Sequence, residues 1–179
     1  MIPVEYMWFV LLLAFCAIGA ARGLAKELGT AAVLMISLFT LYLVWTKFVA
    51  RLVAPVQASS GGSAGIREAA YFGIAIIVIA YISYEGYVLS FPVKQVKGFF
   101  GGVFGLLSGL LNGYLVIGTI WDVLARAKYF EPKLSIVSCC LSSLHNTIAH
   151  YLPLSLMQNT SPFILLIPGV LLILLMLLK

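Results

Sequence analysis

Apolar residues run through this chain in long blocks, and the polar positions fall in short clusters between them. The first block covers about Val4 to Ala21 and ends in a charged turn, Arg22-Gly23-Leu24-Ala25-Lys26-Glu27-Leu28. The second continues from about Gly29 to Trp45 and closes with Lys47 and Arg51. A link containing Pro55, Ser59, Ser60, Gly61, Gly62 and Ser63 follows; small residues without apolar periodicity pack no core, so it reads as a flexible loop. The third block covers about Ala69 to Phe91, and after Pro92 and a turn carrying Lys94 and Lys97 the fourth runs from about Gly98 to Trp121. Blocks of roughly 20 apolar residues match the thickness of a bilayer at helical rise. The pattern predicts four membrane spans arranged as two helical hairpins.

Beyond Asp122 the pattern changes, with Arg126, Lys128, Glu131 and Lys133 marking an exit from the bilayer. Leu134, Val137, Leu141, Leu144, Ile148 and Tyr151 then recur at three- and four-residue steps opposite Ser135, Ser138, Ser142, Ser143 and Asn146. That spacing predicts an amphipathic helix, and its nearly uncharged polar face places it at the membrane interface. The last apolar run, about Pro162 to Leu178, predicts a fifth span, which Pro168-Gly169 would kink. The expected fold is therefore all-α, a polytopic transmembrane helical bundle. Residues 1–125 form a four-helix membrane domain, 126–160 a basic link with the interfacial helix, and 161–179 a C-terminal hydrophobic segment.

Composition agrees with this reading: 63% of the 179 residues are hydrophobic and only 9% charged, and the mean hydropathy is +1.10. Globular domains in water carry about a quarter charged residues. The excess of 11 Lys and Arg over 6 Asp and Glu is read as loop anchoring at lipid headgroups, with no nucleic-acid partner. Of the three cysteines, Cys139 and Cys140 are adjacent and badly placed to bridge each other, and Cys16 lies within the first apolar block. They read as small apolar filler. The first positive residue is Arg22, after the apolar block, so the first helix is expected to be retained as a span.

The fourth block contains a glycine ladder, Gly101, Gly105, Gly109 and Gly113, at strict four-residue spacing. In water each glycine inside a helix costs roughly 1 kcal/mol relative to alanine. In a bilayer the same spacing makes a groove that a second backbone can approach closely. Gly19 and Gly23, with Ala14, Ala17, Ala20, Ala21 and Ala25, give the first helix a small-residue face of its own, a natural mate for the ladder. Asn112, beside the ladder in mid-span, is expected to hydrogen bond across a helix interface, with a channel-lining role as the alternative.

Glu85 is read as the one acidic residue well inside a span, and an intramembrane carboxylate is a functional candidate by default. Tyr81, Tyr84 and Tyr87 are possible donors to it, and Arg22, Lys26, Lys94 and Lys97 share its side of the membrane. A structural ion pair and a proton or solute site both fit. Arg22 and Glu27 frame the first turn and read as interface anchoring plus a local ion pair. His145 and His150 stand five residues apart and do not share a helical face. No phosphate loop, zinc spacing or nucleophile elbow is present, so no cofactor, metal or enzymatic activity is expected.

Three of these features together resemble the colicin V production protein family (CvpA): an acidic residue near the start (Glu5, more often Asp in that family), the Arg22-Gly23 turn followed by Glu27, and Lys97-Gly98 leading into the glycine helix through Gly101, Gly105 and Gly109. The resemblance covers about the first two-thirds of the chain. Ser108 stands where many members place a basic residue, and the C-terminal apolar run is not a general family feature. The resemblance implies a multi-pass protein of the bacterial inner membrane, connected with toxin production by the family name but with no defined molecular activity. Two functions remain open: a scaffold or accessory subunit packing against lipids and against other membrane subunits or itself, and a component of a transporter or channel.

Overall fold

The computed structural model describes residues 4–52, 64–85, 99–127 and 147–178, all of them helix or short connection. Helix α1 spans Val4–Arg22, and α2 spans Leu24–Val44 and runs on through a π-helical turn, Trp45–Val49. Helix α3 is Ala64–Glu85 and α4 is Phe99–Arg126. A short helix α5, Pro153–Asn159, and a last helix α6, Phe163–Leu177, follow among the described residues. The serine-glycine link, the Lys94–Lys97 turn and most of the expected amphipathic helix lie outside the described residues.

Three stretches, Leu24–Leu52, Ile66–Glu85 and Phe99–Arg126, are long and apolar enough to cross a membrane. The described apolar part of α1, Tyr6–Arg22, is shorter. Helices α5 and α6 meet at 113° and make a fourth candidate only if taken together as one broken span. Alone, the 15 residues of α6 cover about 22 Å, against a hydrocarbon core of about 30 Å. The run expected to form a fifth span is thus a 15-residue helix that bends sharply away from α5.

A single residue separates α1 from α2. Gly23 sits at φ 83°, ψ 159°, a region essentially closed to residues with a side chain. Its N–H still donates to Gly19 at 2.9 Å while its carbonyl accepts from Glu27 at 3.3 Å, so the chain reverses without a loop. Helix α1 therefore runs antiparallel to α2, and it also runs antiparallel to α4: Gly19 meets Gly105 and Gly109, Phe15 meets Gly109 and Gly113, and the Trp8 and Trp121 rings lie 6.4 Å apart.

That contact is backbone on backbone. A Cβ built on Gly19 would stand 2.6 Å from the Gly109 Cα, and one on Gly105 would stand 2.6 Å from the Gly19 carbonyl oxygen. Side chains never approach so closely, so these glycines set the spacing of the helices. The remaining core lies where α2, α3 and α4 converge, around the fully buried Leu34, Leu38, Phe72, Ile76 and Leu115. Helix α6 packs antiparallel on α2, with Phe163 5.7 Å from Phe39 and Gly169 against Ala32, Met35 and Ile36.

Candidate functional site

Polar side chains from three other helices gather on Glu27. The sharp turn at Gly23 folds the first turn of α2 back against the other helices, so that Glu27 is completely buried. A carboxylate without partners there would be very costly. It has three. Arg22, the last residue of α1, places Nη1 2.9 Å from Oε1. The Tyr84 hydroxyl of α3 donates to Oε2 at 3.1 Å, and the Asn112 Nδ2 of α4 donates to Oε2 at 2.7 Å and to the Glu27 backbone carbonyl at 3.0 Å. Each donor comes from a different helix.

Arg22 also ties the site to α3 directly. Its Nη2 donates to the Tyr84 carbonyl at 3.2 Å, and its guanidinium carbon lies 4.4 Å from the centre of the Tyr84 ring. A cation on an aromatic face gains about 0.5–2 kcal/mol depending on desolvation. Phe15 closes the other side with an edge contact to Tyr84 at 5.7 Å. The pair is electrically neutral, and the carboxylate also lies near the positive end of α2, where negative charge is favoured. One atom is left over: the buried Asn112 Oδ1 finds no donor among the described residues.

A second cluster lies toward the opposite end of α4. Asp122, 2% exposed, accepts from Arg126 Nε at 2.8 Å, from the Ser155 backbone N–H at 2.7 Å and from the Ser155 hydroxyl at 3.0 Å. Arg126 extends the cluster to Ser155 Oγ at 3.3 Å and Glu68 at 3.6 Å. The N-cap of α5 is Leu152, which has no side-chain acceptor, so Asp122 supplies the capping carboxylate from another helix.

The chain matches no family model, no curated protein and no solved structure. The geometry is therefore what speaks about the site.

The residues singled out by sequence fall as follows. Gly19, Gly105, Gly109 and Gly113 lie together in the α1–α4 contact, and Gly101 sits one turn earlier, half-buried. Gly23 forms the turn, and Arg22 and Asn112 both reach Glu27. Glu85 is exposed at the last residue of α3, and the partners expected for it, Arg22 and Tyr84, are held by Glu27 instead. Tyr87, Lys94 and Lys97 lie outside the described residues. In the sequence Glu27 reads as a turn residue because it closes the charged cluster that starts at Arg22. Only the one-residue reversal at Gly23 carries it inside. Asp122 read as the end of the membrane segment, whereas it is buried under α5.

Proposed function

We propose that this chain is a small integral membrane protein of scaffold or accessory-subunit type, located in the bacterial inner membrane and allied to the colicin V production family it resembles. In this reading α1 to α4 make four crossings, and α6 adds a fifth apolar segment. The observation that carries it is the network at Glu27: the one completely buried charge among the described residues is held by donors from α1, α3 and α4. A charge committed to holding helices together is a structural lock. The outward faces are apolar, with Ile74, Ile77, Ile82, Leu107 and Leu110 exposed, and are suited to lipid and to other membrane subunits or a second copy.

Isolation in mild detergent followed by identification of what copurifies tests the proposal. A stable hetero-complex is the expected result. A homo-oligomer alone, accompanied by solute flux in proteoliposomes, would favour the transporter or channel reading. That second reading draws on the unpartnered Asn112 Oδ1 beside an intramembrane carboxylate, the kind of polar group that lines a path.

A further inference from the structure

The chain leaves α4 at Ala127 and meets the same helix again at Tyr151, deep along its length. The Tyr151 carbonyl accepts from the Tyr114 hydroxyl. Pro153 lies against Gly118, its Cδ 2.9 Å from where a Cβ there would stand, and Ser155 binds Asp122. The residue numbers rise together, so α5 runs parallel to α4 and toward Arg126. Tyr114 is twelve residues from Arg126, a distance of about 18 Å along a helix. That is more than half of a hydrocarbon core of about 30 Å. At the far end of α5 the chain is back at the Arg126 level, since Phe163 packs on Phe39 near the end of α2.

We infer that residues 147–159 form an intramembrane strap, whose tip, Tyr151 to Pro153, lies at about mid-depth in the membrane and whose far end lies on the Arg126 face. The inference rests on the membrane reading above. Irregular backbone survives at that depth only where protein satisfies it, and this segment is built accordingly. The Tyr151 N–H donates to Ile148 at 2.9 Å, its carbonyl is taken by Tyr114, Pro153 has no N–H to satisfy, and the Ser155 N–H is taken by Asp122. Leu152, Leu154 and Met157, each 1% exposed, fill the space beside α4. Gly118 admits Pro153 where any side chain would collide.

The test uses single-cysteine variants of the full chain, with the three native cysteines replaced, in proteoliposomes. Phe100→Cys and Phe48→Cys mark the two faces, and Gln158→Cys and Tyr151→Cys report the strap; all four parent side chains are exposed. The strap predicts that an impermeant maleimide labels Gln158→Cys from the Phe48 face. It also predicts that a fluorophore at Tyr151→Cys is quenched best by lipids brominated near the ends of their acyl chains. The unaltered chain gives a second reading, with slow amide exchange over residues 151–155 in nanodiscs. Headgroup-level quenching at Tyr151 with fast exchange would overturn the strap and return the segment to the interface. Labelling of Phe100→Cys and Phe48→Cys from one face would instead put both ends of the bundle on one side and remove the membrane reading on which the strap depends.

Discussion

Replacing glycine by alanine should have opposite effects at different glycines of this chain, and the sign follows from what the added methyl meets. At Gly109 a Cβ would overlap the Phe15 carbonyl oxygen and stand 2.9 Å from the Gly19 Cα; at Gly19 it would meet the backbone of both Gly105 and Gly109. Ordinary van der Waals contact begins at about 3.5 Å, so α1 and α4 must separate by the better part of an ångström. Overpacking of this kind costs about 1–3 kcal/mol, and neither backbone can rotate away as a side chain could. The gain in helix propensity offsets at most about 1 kcal/mol. At Gly73 and Gly102 a Cβ would meet nothing within 4 Å, so only that gain remains. The expected result is a loss of about 1–2 kcal/mol for Gly19→Ala and Gly109→Ala, and no loss or a slight gain for Gly73→Ala and Gly102→Ala. Gly23→Ala separates strain from collision: its Cβ also meets nothing, but its φ of 83° should cost about 1–3 kcal/mol. Equilibrium unfolding in mixed micelles, followed by helical circular dichroism, measures all five. Equal stability of Gly109→Ala and Gly73→Ala would refute the close approach of α1 and α4.

Glu27→Gln should destabilise the bundle by about 2–3 kcal/mol in the same unfolding assay. It removes a charged acceptor worth about 1.5–3 kcal/mol, while Arg22, whose side chain is 22% exposed, retains some access to the interface. Glu85→Gln, at an exposed side chain, should leave the unfolding curve unchanged, the reverse of the order that sequence position suggests. Asp122→Asn should cost about 1 kcal/mol, the usual worth of a helix cap, and should raise amide exchange selectively at Leu154 and Ser155. A double-mutant cycle between Gly109→Ala and Asn112→Ala should give a coupling energy of at least about 0.5 kcal/mol, the range for groups that share a structural shift; additive losses would show that the two sites are independent.

The helices of the bundle were legible because apolar blocks of membrane length have few alternatives, and the mating of Gly19 with Gly105 and Gly109 was legible because four-residue glycine spacing has one good use in lipid. The depth of each polar residue was not. Hydropathy marks Glu85 as the polar residue of interest within its block and puts Glu27 in a turn, yet Glu85 is exposed while Glu27, in the first turn of α2, is completely buried. What decides burial is how abruptly the chain turns, and that depends on one dihedral angle at Gly23. The burial of Asp122 is hidden from the local sequence for a related reason. Its burial depends on Ser155, 33 residues later, and no local pattern announces a helix capped from another helix.

The ladder and the buried charge are parts of one arrangement. Helix α2 is joined to α1 by Gly23 alone, so the distance at which α1 rests on α4 also fixes where Glu27 stands relative to Asn112. The Asn112 contacts to the Glu27 carboxylate and carbonyl are 2.7 and 3.0 Å, and a displacement of about 1 Å would carry both beyond hydrogen-bonding distance. Contact between the glycine faces is therefore a condition for burying the carboxylate with its partners. The carboxylate in turn rewards only that spacing, because at any wider one it would stay buried with fewer donors. Close packing alone would tolerate several registers of α1 along a ladder that repeats every four residues. A slide by one repeat, about 6 Å at 1.5 Å per residue, would take Arg22 and Glu27 away from both Tyr84 and Asn112. The periodic glycines supply the approach, and the aperiodic charge selects which of the equivalent registers the chain adopts.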